Sequence, residues 1–366
     1  MRIYGGTVFC PDRIMRQTDV CFYDGRITAD SDTGGFDASD CYVLPGFIDT
    51  HIHGAFGSEF SSPDEDFTPA LDSLSKRGVT SVLATTRSLF PDELEAAARN
   101  IGRQADPRVI GIHAEGPFVN PARIGAMNPK KLSLPKVSIP ETMNSVSGGK
   151  LKILSMAPEL DGAGEVIDWC VANGVKVSMA HTDADCASAR AAVDRGASRL
   201  THTYNGMRPL HHREPGVLGE ALTDDRVCCE LICDLVHVSA PAISLAVRAK
   251  GAENITMVSD SGVFSGLGDG EYTVDGRKRI VKDGVCRCAD GVTIAGSTKC
   301  LYDGVLNMFR LGYSPDKIAI MASVNPALAC GCTDRGILAE GCRADIAVLD
   351  RDFGIKAVFV GGERVV

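Results

Sequence analysis

The sequence predicts an α/β protein: a (β/α)8 TIM-type barrel with a small β-sandwich domain assembled from both termini. Three observations carry that prediction. The two end regions share one texture, short β-type runs broken by Gly and Asp turns. The long middle alternates short apolar runs with helix-like stretches, the pattern of βα units on a parallel sheet. The middle also yields eight candidate strands, the number such a barrel needs.

Taken in order, residues 1–44 hold the runs MRIYGGTVF and DVCFYDGRITA and form the first part of the small β domain. Residues 45–335 form the barrel. Its candidate strands are GFIDTHIH, GVTSVLATT, RVIGIHAEG, LKILSMAPE, GVKVSMAHT, ASRLTHTYN, RVCCELICD and NITMVSDS. Helical stretches such as DELEAAARNIGRQA and DCASARAAVDRG separate several of them. Residues 116–140 and 205–220 are Pro/Gly-rich and read as loops, and 264–292 reads as an inserted β-hairpin. Residues 336–366, with GCRADIAVLDRDFGIKAVFVGGERVV, return to the opening texture and complete the β domain.

Of the 366 residues, 44% are hydrophobic and 23% charged, a soluble globular composition. No apolar run approaches the ~20 residues that span a bilayer, and the start lacks the apolar core of a signal peptide. The expectation is therefore a cytoplasmic protein that keeps its fourteen cysteines as thiols. The pairs Cys286/Cys288 and Cys330/Cys332 lack the spacing of a zinc ribbon. A net charge of −9 argues against nucleic acid. It also means that an anionic substrate must be held by a few local cations.

Nearly every predicted strand ends in a residue able to bind a metal or move a proton. His51 and His53 close the first strand, and i, i+2 spacing puts both imidazoles on one face. Glu115 closes the third, His181 the fifth, His202 the sixth and Asp260 the eighth. In a barrel these strand ends meet at one mouth, where active sites lie. Neutral imidazole and carboxylate suit zinc or iron. A single strand histidine is more often an ordinary core residue, and Asp260 alone could cap a following helix, so the weight lies in the set. Asp49 and His113 share strand parity with these ligands and read as groups that orient the site.

The segments PGFIDTHIHG, HAEGPF, AHTDA, THTYNGMRPLHHREPG, VSDSG and IAGSTKCL, with NPA and GCRADIAVLD near the end, resemble the amidohydrolase superfamily. More narrowly, they resemble N-acetylglucosamine-6-phosphate deacetylases. The resemblance implies one or two divalent ions held by His51, His53, Glu115, His181, His202 and Asp260, with Glu115 bridging where two are present. It places the substrate against Asn205 and Gly206, its phosphate on Arg213 and His237, and its acetyl end along Ile294, Ala295 and Gly296. Read without the resemblance, Arg213 is a surface charge on a loop. Relatives usually carry Gly-Ala-His-Asn-Pro after the EGP step, where this chain reads Gly125-Ala126-Met127-Asn128-Pro129. Met127 cannot donate the histidine's hydrogen bond, a loss of ~1–2 kcal/mol, or about tenfold, in sugar preference.

The expected reaction is hydrolysis of the N-acetyl group of an N-acetyl amino-sugar 6-phosphate, with Asp260 moving the proton. The resemblance also implies a homodimer. Two other readings stay open: another amidohydrolase activity on a cyclic imide or an N-acyl amino acid, and a non-catalytic barrel scaffold. The phosphate-holding groups argue against the first, and the intact set of six ligands against the second.

Overall fold

A computed structural model describes residues 1–30 and 34–366. Residues 31–33, inside the predicted N-terminal β region, lie outside the described residues. Eight strands form one parallel sheet in sequential order: Phe47–Ile52, Val79–Thr86, Val109–Glu115, Leu151–Met156, Lys176–Met179, Arg199–Leu200, Cys228–Ile232 and Ile255–Val258. The sheet closes on itself just past the last strand. There Asp260 N–H donates to the His51 carbonyl and His53 N–H to the Ser261 carbonyl, both at 2.9 Å. All eight residues of Val79–Thr86 are buried, as expected of strands covered on both faces.

Helices follow the strands and pack outside them. Pro91–Arg103 shows why such a segment is helical. Proline opens its first turn, Asp92 and Glu93 favour the positive end of its dipole, and Arg103 the negative end. Leu94, Ala97, Ala98 and Ile101 recur at helical spacing and are buried against the barrel. Cutting Leu94 to Ala would cost ~2–5 kcal/mol. Cys186–Arg195 begins on Asp185, whose side chain accepts from Ser188 N–H at 2.8 Å, and ends at Gly196, where φ is +113°. Among the described residues no helix is long and apolar enough to cross a membrane.

The terminal segments interleave. Strand Tyr42–Pro45 pairs in parallel with Thr7–Phe9 on one side and antiparallel with Ile346–Leu349 on the other. A second sheet, from Arg2–Tyr4, Val20–Tyr23, Arg26–Thr28 and Gly35–Asp37, packs against this one. Ile3, Val8, Phe22, Val43, Ile346 and Phe359 fill the space between them, with Phe22 and Phe359 edge to face at 5.3 Å.

Two expectations need correction. The insert after the last strand is a three-stranded antiparallel sheet, Gly270–Val274, Arg277–Lys282 and Val285–Cys288, not a hairpin. Its two turns are Asp275-Gly276 and Asp283-Gly284, all four residues at positive φ, as two-residue hairpin loops require. The loops expected over 116–140 and 205–220 hold over most of their length, apart from two short 3-10 turns in the first, with helices Ser138–Val146 and Gly216–Thr223 taking up only their last residues. Ser138–Val146 turns Ile139, Pro140 and Met143 inward, whereas six of the eight residues of Gly216–Thr223 are buried. The sixth strand keeps only two ladder residues, because His202 and Tyr204 leave the extended region at φ +28° and +80°.

Candidate active site

His181, His202 and Asp260 each stand two residues beyond their strand and adopt positive φ of 43°, 28° and 50°. A non-glycine residue there is strained, a condition that recurs at functional sites. The bend turns each side chain inward over the barrel mouth. No helix follows Asp260 directly, since the next α-helix is Leu301–Arg310, so the capping alternative falls. Gly206 at φ +59° crosses so close to His181 that a Cβ there would lie 2.7 Å from its Nδ1. A Cβ on Gly296, at φ +73°, would lie 3.2 Å from the Asp260 carbonyl.

The six predicted ligands converge. Glu115 Oε1 lies 3.0 Å from His202 Nε2, 3.3 Å from His181 Nε2 and 3.5 Å from His51 Nε2. Its other oxygen, Oε2, lies 3.2 Å from His53 Nε2. Asp260 Oδ1 stands 3.3 Å from His53 Nε2 and 3.5 Å from His51 Nε2. Two groups of three result, Glu115–His181–His202 and His51–His53–Asp260, with the Glu115 carboxylate between them.

The proton inventory of these rings calls for a cation. His181 Nδ1 donates to the Arg123 carbonyl at 2.8 Å, His53 Nδ1 to the Thr85 carbonyl at 3.2 Å, and His51 Nδ1 to Glu230 Oε2 at 3.0 Å. A neutral ring that donates from Nδ1 carries a lone pair on Nε2. These lone pairs therefore face carboxylate oxygens, and His181 Nε2 meets His202 Nε2 at 3.1 Å. His51 Nε2 is buried with no hydrogen-bond partner. Divalent cations satisfy such a donor set. Burial opposes charge on the rings, yet without a cation Asp260 and Glu115 overcome it and lift His51 to about 9 and His53 to about 10, so a proton would occupy each Nε2 that a divalent ion otherwise takes. Burial likewise opposes charge on Asp260, but His51 and His53 hold it down at about 2.

Beneath the ligands lies a buried polar layer. Glu230, fully buried, touches His51 with Oε2 and stands 3.4 Å from Arg199 Nη2 with Oε1. Burial would raise its carboxyl, but His51, His113 and Arg199 bring it to about 2. Its signal in the sequence was one acid in the apolar run CCELICD. Asp49 Oδ1 accepts from the backbone N–H of His51 and of Ser259, at 3.3 and 3.2 Å. His113 stacks edge-on to His51 at 4.6 Å, donates to the Thr50 carbonyl at 2.8 Å and accepts from the Ser155 hydroxyl at 2.6 Å.

The site opens into a cavity of about 450 Å³. Of the predicted substrate residues, Ala126, Met127, Asn205, Gly206, His237, Ile294, Ala295 and Gly296 line it. Arg213 does not: it stands exposed on its loop, Nη1 2.9 Å from His212 Nε2. His237 Nδ1 donates to Asp234 Oδ2 at 2.8 Å; burial works against its charge and Asp234 raises it. Met127 Sδ accepts from the Ser88 hydroxyl at 3.1 Å. Sequence reasoning missed Arg87, Arg277 and Arg279, which also line the cavity. The alternation of RKR on one strand was the available sign of the latter two.

A barrel whose strand ends carry paired histidines, a Glu between them and a final Asp defines a class, and the Amidohydrolase family model matches residues 42–365. The chain belongs to the amidohydrolase family. Within it, the chain falls among the N-acetylglucosamine-6-phosphate deacetylases. It is 37% identical to the N-acetylglucosamine-6-phosphate deacetylase of Bacillus subtilis (strain 168), over 86% of this chain and 82% of that one. It is 34% identical to the N-acetylgalactosamine-6-phosphate deacetylase of Escherichia coli O157:H7, over 88% and 87%. A crystal structure of the Thermotoga maritima N-acetylglucosamine-6-phosphate deacetylase superposes with a TM-score of 0.92 at 33% identity, over 100% and 99%. A mutant of the Mycobacterium smegmatis enzyme, in complex with N-acetyl-D-glucosamine-6-phosphate, gives 0.94 at 31%, over 100% and 99%.

Proposed function

We propose that the chain hydrolyses the N-acetyl group of an N-acetyl amino-sugar 6-phosphate, foremost N-acetylglucosamine 6-phosphate, releasing acetate and the amino-sugar 6-phosphate. The observation that carries this reading is the convergence of four imidazoles and two carboxylates at the floor of a sugar-sized cavity. The relatives named above, which include a galactosamine enzyme, support the substrate class. We assign zinc or iron to the site. Glu115, His181 and His202 would hold one ion, and His51, His53 and Asp260 would offer the donors for a second.

When bound, such an ion lowers the pKa of water from about 15.7 towards ~7 and polarises a carbonyl oxygen. The protein's own groups do the rest. Asp260 accepts the proton of the attacking water and returns it to the departing amine. Asn205 and the Gly206 backbone orient the sugar, while Ile294 to Gly296 enclose the acetyl group. Glu230 fixes the His51 ring, so that its Nε2 presents a lone pair to the centre. His237 is the cavity-lining group we assign to the phosphate; Arg213 would have to move to reach it. We place the protein in the cytoplasm, a reading that its fourteen unpaired cysteines support, and the family resemblance favours a homodimer.

Acetate release across a panel of N-acetylated sugars, each with and without 6-phosphate, tests the proposal on metal-loaded protein. Hydrolysis of the phosphorylated members is expected to dominate. If the loaded protein releases no acetate from any of them, the reading fails.

A further inference from the structure

Not every cation on the cavity wall has a salt-bridge partner. Arg87 pairs with Glu59, and Asp275 with Lys131 Nζ at 2.7 Å. Arg277 and Arg279, two apart on strand Arg277–Lys282 and so on one face, pair with no carboxylate among the described residues. Arg277 uses only Nη1, donating to the carbonyls of Ala126 at 3.0 Å and Met127 at 2.8 Å. Arg279, 6% exposed, donates from Nη2 to the Ala126 carbonyl at 3.0 Å and from Nη1 to the Lys278 carbonyl at 3.2 Å. Neutral carbonyls satisfy donors but cancel no charge. Burial, with Arg277 and Arg87 nearby, pushes the Arg279 guanidinium below its ordinary value. A guanidinium nonetheless stays protonated in proteins, so the mutual repulsion persists.

Neither arginine makes a salt bridge among the described residues, although Asp290 lies near enough to feel the charge of Arg277, and in a chain of net charge −9 such a pair marks a local preference for an anion. Resting on the reading that this cavity receives an amino sugar, we propose that Arg277 and Arg279 form an oxyanion subsite, which takes a phosphate monoester or a carboxylate on the substrate. Arg277 offers Nε and Nη2 as the free edge of its fork, the geometry that meets two oxygens of one group. Because the same residues grip the carbonyls of Ala126 and Met127, a bound anion would also fix the loop that replaces the family's histidine. His237 sits after the seventh strand and the arginines on the insert after the eighth, so the two are separate cationic points on one cavity.

The test compares kcat/KM for N-acetylglucosamine 6-phosphate, N-acetylglucosamine and N-acetylmuramic acid, which carries a carboxylate and no phosphate. The metal-loaded parent is set beside Arg277→Gln, Arg277→Lys and Arg279→Gln. Selectivity for one anionic sugar over the neutral one is expected to fall at least tenfold in the Gln variants, and Arg277→Lys should recover part of it. Which anionic sugar loses selectivity tells phosphate from carboxylate. A proportionate loss on all three sugars, within twofold, would show that the arginines only clamp the loop and would overturn the proposal. Arg277 is only partly buried, so its variants stand even if Arg279→Gln does not fold. Should the parent turn over none of these sugars, the reaction assigned above is wrong, and titration with inorganic phosphate judges the subsite. A Kd at least fivefold weaker in Arg277→Gln upholds it, and an unchanged Kd refutes it.

Discussion

Glu230→Gln removes one charge at a position with no solvent exposure and almost no change of shape. The amide oxygen can still accept from His51 Nδ1, so the ring should keep its place. The anion behind the ring is lost, and it makes Nε2 a stronger ligand. Partners of this kind are worth about 10–100-fold in metal affinity, or ~1.4–2.7 kcal/mol. Arg199, itself buried, is left without a carboxylate. Stripping a buried ion of its partner costs ~3–5 kcal/mol. The separation of 3.4 Å is long for a charge-assisted bond, which favours the low end. At ~2 °C per kcal/mol, that is a Tm lower by about 6 °C. Calorimetric titration of metal-free protein with zinc measures the first effect, and thermal melts with and without metal the second. Affinity within twofold of the parent would show that Glu230 serves only packing.

Asp260→Asn keeps shape but cannot take a proton; kcat should drop by ~10²–10⁴-fold with Tm nearly unchanged. Activity within threefold of the parent would remove Asp260 from the mechanism. His113 is held neutral, with burial first and the His51 charge second bringing it down to about 3. Its folded value lies below the unfolded one of about 6.5, so its stabilising contribution is full above 6.5 and is lost as pH falls towards 3. His113→Asn should flatten the fall of Tm from pH 6.5 to 4, and an unchanged slope would refute the assignment. Met127→His restores a donor in the cavity and should shift the kcat/KM ratio of N-acetylglucosamine to N-acetylgalactosamine 6-phosphates by about tenfold; a shift under twofold would show that Met127 does not read the sugar.

The barrel and its six convergent groups were legible because five of the eight strands end in residues whose chemistry is costly to bury without a purpose. His51 and His53 gave both the strand parity and the direction of the mouth. Features set by distant partners were not legible. THTYN alternates like a strand, but crowding at the mouth throws His202 and Tyr204 into the left-handed region. Glu230 gains its role from His51, 179 positions away. Arg213 was placed by motif alone, whereas which arginines face the cavity depends on how the insert folds back over the Ala126–Met127 loop. The two Asp-Gly turns that make the insert three-stranded were readable from local chemistry.

The pairing of Tyr42–Pro45 with Ile346–Leu349 sets a schedule for synthesis. About 300 residues separate the two strands, so at 5–20 residues per second the early strand waits ~15–60 s for its neighbour on the ribosome. Throughout that interval the edge of Tyr42–Pro45 that will meet Ile346–Leu349 stays unpaired, a template for the wrong strand. Barrel units can form as they emerge, yet the chain cannot finish its terminal sheet until nearly all of it has been made. A nascent-chain chaperone that shields a short apolar β segment is thus the cellular factor whose depletion should lower the yield of this protein first.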